Sequence, residues 1–598
     1  MFWILPNSLR NSLLNFLLSV SSVRTGISLC ALCVLCGGIN SFALDRNAFT
    51  FTKYDLELRL DPESHQIAAR GHITVRNDST EPQTSLALQI SSTLDWRLIQ
   101  LNGQDLEYIA QPYNTDIDHS GLANEANIKL PGPLAPKQSL ELEVGYSGAI
   151  EVNIGRLKRI GTPEPAADAS EWDQIGQPFT FLRGVGYVLW YPVSMSAVNL
   201  SAGELSSALG AWQEREQNTE MKIKACWIAP QDQRLTVLSN GQLEGMSAGE
   251  QAEGSSTGCS TFHFGPMGAT VPMLAFGQFQ VLQQPQMNLY YLGDTKGDAE
   301  NFALAAEKVR PLVAEWFGEP KSKLQIIDLP VPNGNPFESG TTLIAPFKMD
   351  PRVTELTMAH EWVHAAFSSP RPWIDEGLAH FAQVLQRERQ DGRKAAIGFL
   401  QSRLPPLIVS EQQDSKSNES AANALANTAD DNIYRNKGMF VWWMLRDMLG
   451  DRALQQAIQS YRSDQDKEQS YMQRLLQAHT KRDLEWFFDD WVYRDRGLPD
   501  LQIVTATPRE TLNGAFIVAV TVENHGTAGI EVPIIVLAKD GERTGRLQVG
   551  AKQKETTRIV VQGQPQKVTV NDGSVPEQQL GAQVFTFAVA SDASAPSK

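Results

Sequence analysis

The spacing of hydrophobic residues changes twice along the chain. Over about 51–281 hydrophobic and polar residues mostly alternate, as in Tyr54-Asp-Leu-Glu-Leu-Arg-Leu60. Because successive side chains of a strand point to opposite faces, this alternation predicts strands that bury one face. Over about 288–499 the hydrophobic residues recur every three or four positions, which predicts helices. Alternation returns from residue 500 onward, so the pattern predicts a multidomain α+β fold.

The middle segment contains several predicted helices and one predicted loop. Apart from a helix that carries Phe302 to Trp316, the predicted helices cover 351–367, 373–389, 437–449 and 481–493. Residues 409–432 are rich in Ser, Asn, Asp and Ala and lack periodic hydrophobic residues, which predicts a mobile surface loop.

Composition and charge exclude some classes of protein. The 598 residues are 42% hydrophobic, which excludes a mainly disordered chain, and they carry a net charge of −16. Because an acidic surface repels phosphate backbones and anionic lipid, we expect no nucleic-acid partner.

The first 43 residues have the pattern of a signal peptide. Arg10 and Arg24 precede a hydrophobic run from Ile27 to Cys36, and small residues around Ser41 provide a cleavage site. We therefore predict an exported protein, periplasmic or extracellular, that is attached to a membrane only if this segment is retained as an anchor.

Removal of the predicted signal peptide leaves two of the five cysteines, Cys226 and Cys259. An even pair in an oxidising compartment is a candidate disulfide. Two buried free thiols are the alternative.

A metal-binding motif stands in the middle segment at Thr357-Met-Ala-His360-Glu361-Trp-Val-His364. Asp350 is a good N-cap and Pro351 a good first residue, so a helix should begin there. On that helix the two histidines, four residues apart, project from one face, as two ligands of one metal ion must. Glu361 is placed to act on a water activated by the metal without binding the metal itself. A helix that carries two unrelated histidines is the alternative.

A third ligand is predicted at Glu376, which eleven residues separate from His364. Two prolines lie between them and end the first helix, so Glu376 can face the histidine pair from a second helix. Two histidines and a carboxylate leave a fourth tetrahedral position open, which is the arrangement of catalytic zinc. Asp375 and His380 are rival third ligands, and His380 can instead orient a ligand. We predict one Zn²⁺ per chain as the cofactor.

The motif His-Glu-x-x-His, followed by Trp373-x-x-Glu376-Gly377, resembles the gluzincin zinc peptidases. It is most similar to the membrane alanyl aminopeptidase and leukotriene hydrolase family, as a divergent bacterial-type member. Flanking stretches such as Met273-Leu-Ala-Phe-Gly277 and Asp483-Leu-Glu-Trp-Phe-Phe488 are also similar to that family.

The resemblance implies a division of the chain into a signal peptide and three domains. These are an N-terminal β-saddle domain, a thermolysin-like and mostly helical catalytic domain, and a C-terminal β-sandwich-like domain. The four predicted segments are 1–43, 44–285, 286–499 and 500–598.

The resemblance also implies residues that contact the substrate. A Tyr ahead of Lys-Gly stabilises the oxyanion in the family, and its match is Tyr434, with one extra residue before Lys437-Gly438. The family's amine-binding Glu is matched by Glu338, which precedes a strand predicted at 341–345. The alternative for Glu338 is an exposed residue at a strand edge. The family's second amine anchor falls on Phe181, so an ammonium group would find one carboxylate instead of two.

These features predict an exported zinc metallopeptidase that acts on a peptide or protein substrate. We favour an aminopeptidase, in which Glu361 is the base, Tyr434 the oxyanion donor and Glu338 the amine anchor. An endopeptidase on the same site is the first alternative. A binding protein built on an inactivated peptidase fold, or a hydrolase of esters or epoxides, are the others.

Overall fold

The computed structural model describes residues 44–230, 235–248, 255–268, 270–414, 424–494 and 496–588. The described residues from Arg46 onward belong to one structural unit. The predicted signal peptide, 1–43, lies outside the described residues. Over the ranges just given, no helix combines the length and the hydrophobicity needed to cross a bilayer.

Strands dominate the first part of the chain, as the alternating pattern predicts. They are β1 (Phe49–Asp61), β2 (Gln66–Asn77), β3 (Gln83–Ser91), β4 (Leu94–Leu101), β5 (Gln104–Asp105), β6 (Tyr108–Asn114), β7 (Leu122–Leu134), β8 (Ser139–Ala149), β9 (Phe179–Leu182), β10 (Glu220–Pro230), β11 (Thr236–Ser239), β12 (Gln242–Ala248), β13 (Ser255–Phe264) and β14 (Leu274–Gly277). Three helices interrupt them: α1 (Gly155–Arg159), α2 (Glu164–Ser170) and α3 (Leu205–Glu216).

These strands form three sheets. The largest has eight strands in the order β12-β13-β10-β1-β2-β8-β4-β5, and the smaller ones are β3-β7-β6 and β11-β14-β9. Alternate residues of β1, such as Leu56, Leu58 and Leu60, are almost completely buried, while Glu57 and Arg59 between them face water. The period-two pattern therefore reports a sheet with one face in the core.

Cys226 and Cys259 form a disulfide between neighbouring strands. The two residues are paired directly across β10 and β13, with their Cα atoms 4.0 Å apart. This geometry selects the disulfide over the alternative of two free thiols.

Thiol labelling of the unreduced, denatured protein from an exporting host is expected to find no reactive thiol at these two positions. The bond closes a loop with a sequence separation of 33 residues. In the chain-entropy model such a loop stabilises the fold by about 3–4 kcal/mol. Reduction should therefore lower the free energy of unfolding and expose two thiols. Two thiols that react before reduction would contradict the pairing.

The middle of the chain combines helices with one more sheet. Its helices are α4 (Lys296–Phe317), α5 (Pro351–Ala366), α6 (Pro372–Asp391), α7 (Arg393–Ser402), α8 (Leu404–Asp414), α9 (Gly438–Leu449), α10 (Asp451–Ser460), α11 (Tyr471–Ala478) and α12 (Glu485–Phe488). Two π-helical turns cover Asn432–Lys437 and Asp489–Tyr493. The predicted helix at 481–493 therefore begins later than expected, and the predicted loop at 409–432 is wrong at its start, where α8 continues.

A five-stranded sheet underlies these helices. Its strands are β15 (Gln280–Gln284), β16 (Met287–Tyr291), β17 (Leu324–Asp328), β18 (Phe337–Ser339) and β19 (Thr342–Ala345). They lie in the order β15-β16-β17-β19-β18, which leaves β18 at an edge. The hydrophobic pattern predicts only β19 as a strand here, because short strands buried on both faces show no alternation. The predicted boundary at 285/286 stays a prediction, although the β15–β16 hairpin straddles it.

The last part of the chain returns to strands. They are β20 (Leu501–Glu510), β21 (Ala515–Asn524), β22 (Ile530–Ala538), β23 (Gly541–Val549), β24 (Lys554–Gln562), β25 (Pro565–Val570) and β26 (Gln583–Thr586). They form two sheets, β20-β21-β24 and β23-β22-β25-β26. The order of strands, helices and strands confirms the multidomain α+β class. One continuous hydrophobic core joins the helices around the metal-binding motif to these last two sheets.

Candidate metal centre

Helix α5 brings the two histidines of the motif together. The helix begins as its first residues predict, since the Asp350 side chain accepts a hydrogen bond from the Arg352 backbone N–H at 2.8 Å. His360 and His364 lie one turn apart, and their Nε2 atoms are 3.1 Å from each other. Both side chains are largely buried, so the pair faces the interior of the protein.

Helix α6 places Glu376 beside the same pair. Its Oε2 atom lies 3.7 Å from His360 Nε2, and its Oε1 atom lies 3.9 Å from His364 Nε2. Glu376 Oε2 is buried and accepts no hydrogen bond from any residue described. The structure therefore brings together the three residues that the sequence nominates as ligands.

A fourth donor, Glu338, lies closer to the histidines than Glu376 does. Its Oε2 atom is 2.9 Å from His360 Nε2, and its Oε1 atom is 3.0 Å from His364 Nε2. Glu338 stands on the edge strand β18, but its side chain is only 18% exposed, which does not fit the exposed alternative. Burial alone would raise the pKa of Glu338, but the two imidazoles hold that pKa well below its usual range.

These four side chains have the chemistry of a zinc site. One donor atom from each of Glu338, His360, His364 and Glu376 lies within 4.8 Å of the others. Donors about 2.0–2.1 Å from a tetrahedral ion lie about 3.3 Å from one another, close to the separations found here. Imidazole nitrogen and carboxylate oxygen are both ordinary zinc ligands. The residues present therefore fit the metal that the motif implies.

The two rival third ligands lie outside this donor cluster. Asp375 Oδ2 lies 3.5 Å from Nδ1 of His364, on the side of the ring that faces away from the donors. In that position it orients the imidazole and fixes which nitrogen points inward. The His380 ring packs edge-on against His360, with 5.0 Å between centroids, and burial together with the charge of His360 lowers its pKa.

Glu361 is buried at the edge of the donor cluster. It is only 1% exposed, and its Oε2 atom has no hydrogen-bond partner among the residues described. Burial, reinforced by the neighbouring Glu338 carboxylate, raises the pKa of Glu361 well above its usual range. A buried carboxylate without a partner that lines a cleft is free to exchange a proton with a bound molecule.

Tyr434 reaches the same cleft from the π-helical turn at Asn432–Lys437. In a π-helix the hydrogen bonds run from residue i to i+5, so the turn holds one residue more than an α-helical turn. This accommodates the extra residue between Tyr434 and Lys437-Gly438. Burial raises the pKa of Tyr434 far above its usual range, so the phenol remains a hydrogen-bond donor. Lys437 fixes the turn from the other side through a 2.6 Å ion pair with Glu411.

Arg435 is a cleft residue that the sequence reasoning does not identify. Its Nη2 atom lies 3.4 Å from Glu376 Oε2, so its charge sits beside a predicted metal ligand. The signal was present in the sequence, because the residue that follows Tyr434 adds a positive charge next to the oxyanion donor. Phe181, in contrast, packs against Trp172 with 5.5 Å between ring centroids and is completely buried. No carboxylate replaces it as an amine anchor at that position.

Two glycines allow this turn to approach α6. A Cβ atom on Gly377 would lie 3.0 Å from Trp442 Nε1 and 3.2 Å from the backbone of Gly438. A Cβ atom on Gly438 would lie 3.0 Å from the carbonyl oxygen of Trp373. The indoles of Trp373 and Trp442 stack beside them, with 5.2 Å between centroids. The glycines of the Glu-Gly and Lys-Gly pairs therefore set the distance between Glu376 and the π-helical turn.

Gly377→Ala is expected to lower the free energy of unfolding by about 1–3 kcal/mol, because the methyl group overpacks a backbone contact. It should also reduce activity, since it separates the Arg435 turn from Glu376. Denaturant unfolding measures the first effect. Gly398→Ala is the matched control, because Gly398 is a helical glycine with nothing within 4 Å of the position that an added methyl group would take. That control should be neutral or stabilising by up to about 1 kcal/mol. Equal stability of the two variants would contradict the close contact.

The cleft beside the donors has a volume of about 360 Å³. Its lining combines groups from the motif helix, the edge strand and the π-helical turn: Glu338, His360, Glu361, His380, Tyr434 and Arg435. Tyr187 and Leu209 from the N-terminal region line its other side. A space of this size holds a few residues of an extended peptide.

Comparison with known proteins gives matches at the level of structure. No family model matches the chain, and no curated protein sequence matches it. A mutant of a two-domain M1 zinc metallopeptidase, bound to L-arginine, is 17% identical and covers 73% of this chain and 92% of its own, with a TM-score of 0.46. An M1 zinc metallopeptidase from Deinococcus radiodurans is 17% identical and covers 77% of this chain and 97% of its own, with a TM-score of 0.46. A mutant from the same organism, bound to a Tyr-Ser-Ala substrate, is 16% identical, with the same coverage and TM-score.

Proposed function

We propose that this chain is an exported zinc metallopeptidase that removes single residues from the amino terminus of peptides. The observation that carries the proposal is the buried, unpartnered carboxylate of Glu361 beside two histidines and Glu376. A protein that only held a metal for structural reasons would have no use for such a base. When bound, zinc polarises a carbonyl oxygen and lowers the pKa of a water molecule.

The chain's own residues supply the remaining steps. Glu361 accepts the proton of the attacking water and passes it to the leaving amine, so the carboxylate is regenerated in each turnover. Tyr434 donates a hydrogen bond to the carbonyl oxygen as negative charge develops there. Asp375 holds the His364 ring in its orientation.

Export is supported by the cysteines. The disulfide between Cys226 and Cys259 is of the kind that persists in oxidising compartments. Together with the signal-peptide pattern of residues 1–43, this favours a periplasmic or extracellular protein.

Zinc analysis combined with product analysis from a mixed peptide library tests the proposal. A zinc-loaded protein that releases single amino-terminal residues is the expected result. Internal cleavage would support the endopeptidase alternative, and hydrolysis of esters alone would support the third alternative. A zinc-loaded protein without any turnover would support a binding protein on an inactivated peptidase fold.

N-acetylation of a peptide is expected to block its hydrolysis, because Glu338 would lose the ammonium group it binds. A charge-assisted hydrogen bond of this kind contributes about 1.5–3 kcal/mol, or one to two decades in rate. The measurement compares kcat/KM for free and N-acetylated forms of one peptide, with wild type and Glu338→Ala. Equal rates on both forms in the wild type would reject Glu338 as the amine anchor.

A further inference from the structure

Glu338 occupies a position that its role as an amine anchor does not require. A residue that only binds a substrate ammonium group needs to face the cleft. The Glu338 carboxylate instead spans the two histidines, with one oxygen 2.9 Å from His360 Nε2 and the other 3.0 Å from His364 Nε2. These separations are shorter than the 3.7 and 3.9 Å found for Glu376, the predicted third ligand.

The strand that carries Glu338 is held firmly on both sides. Phe337 packs edge-on against Tyr187, with 5.4 Å between ring centroids. The Ser339 hydroxyl accepts hydrogen bonds from Asn240 Nδ2 at 2.8 Å and from the Val271 backbone N–H at 3.1 Å. Because side chains alternate along a strand, these two anchors direct Glu338 to the opposite face, toward the histidines.

The backbone of Glu338 is thus fixed, while its side chain borders the cleft. Glu338 lies among the lining residues of the cleft and is 18% exposed, so a bound molecule can reach its carboxylate. Movement between histidines and cleft therefore needs only rotation of the side chain. No rearrangement of β18 is required.

We infer that Glu338 is a fourth protein ligand of the metal, which closes the site until the ammonium group of a substrate draws its carboxylate away. This inference rests on the proposed function, because it concerns the same metal site. Four donors from two imidazoles and two carboxylates complete a tetrahedral zinc site, and a closed site of this kind has no position for a catalytic water. Release of Glu338 opens one position at the moment when the substrate arrives.

The arrangement ties the choice of substrate to the opening of the site. The ammonium group of a free amino terminus offers the carboxylate a charge-assisted partner in exchange for the metal. An N-acetylated peptide offers none, so the position next to the metal stays closed to it. Glu338 thereby acts both on the binding of the substrate and on the access of water.

Metal affinity and anion binding test the inference without any activity measurement. Zinc affinity, measured by competition with a chelator, should fall by at least about 100-fold in Glu338→Ala, because even partners outside the ligand shell contribute about 10–100-fold. Azide added to the cobalt-loaded protein should change the absorption spectrum of Glu338→Ala at concentrations at least tenfold lower than those needed for wild type. The vacated position is then open to an external anion.

Asp431→Asn is the matched control, because Asp431 lines the same cleft and carries the same charge but lies outside the donor cluster. It should retain the zinc affinity and the azide response of wild type. Unchanged zinc affinity in Glu338→Ala, or azide responses that shift equally in both variants, would overturn the inference. Absence of zinc binding by the wild type would instead overturn the proposed function, so the two failures are distinguishable.

Discussion

Replacing Glu361 by glutamine is expected to lower kcat by about two to four orders of magnitude while zinc remains bound. The rate falls because the amide cannot accept a proton from water or return it to the leaving amine. Zinc remains because Glu361 lies outside the cluster of donor atoms formed by Glu338, His360, His364 and Glu376. Metal analysis of the purified variant and kcat on a peptide with a free amino terminus give the two quantities.

Glu355→Gln is the control for this change. Glu355 stands on the same helix, but its carboxylate pairs with Lys308 at 2.8 Å. This variant should keep both its zinc and its activity. Normal turnover by Glu361→Gln would remove the proposed mechanism, because no other acid occupies that position of the motif.

Replacing His364 by alanine is expected to abolish both zinc retention and hydrolysis. The change removes one of two imidazoles and leaves the Glu338 carboxylate without its 3.0 Å partner. Zinc content after dialysis against a weak chelator should fall from one ion per chain to near zero. His360→Ala should behave in the same way.

His380→Ala separates the loss of a ligand from the loss of a buried ring. The His380 ring lies 5.0 Å from that of His360, yet its nitrogens do not belong to the donor cluster. The variant loses a buried imidazole of the same size and should keep its zinc. Zinc retention by His364→Ala, or equal zinc loss in His380→Ala, would contradict the ligand set.

Local sequence patterns were sufficient where neighbouring residues determine the structure. The N-cap Asp350 and Pro351 fix the start of α5, and the four-residue spacing then places both histidines on one face. Glu376 was accessible for the same reason, since prolines end one helix and a second helix follows. These features depend on a few consecutive residues and their backbone geometry.

Tertiary contacts decided what the patterns missed. The sequence nominates Glu338 only through a resemblance, and its place between the imidazoles depends on the packing of Phe337 and Ser339 against the N-terminal region. Strands such as β16 and β17 escape prediction because both of their faces are buried. The contribution of Arg435 depends on the π-helical turn, which no hydrophobic spacing reveals.

The π-helical turn at Asn432–Lys437 also bears on how such a cleft could change during evolution. Helix α9 starts at Gly438 directly after the turn, so the insertion is absorbed before the helix begins. An alignment based on spacing would therefore set Tyr434 out of register, whereas the fold carries the insertion within one turn. The insertion places a second cleft-lining side chain, Arg435, next to Tyr434. A single additional codon can thus supply a new charge beside the metal ligands, while the helices that carry those ligands keep their positions.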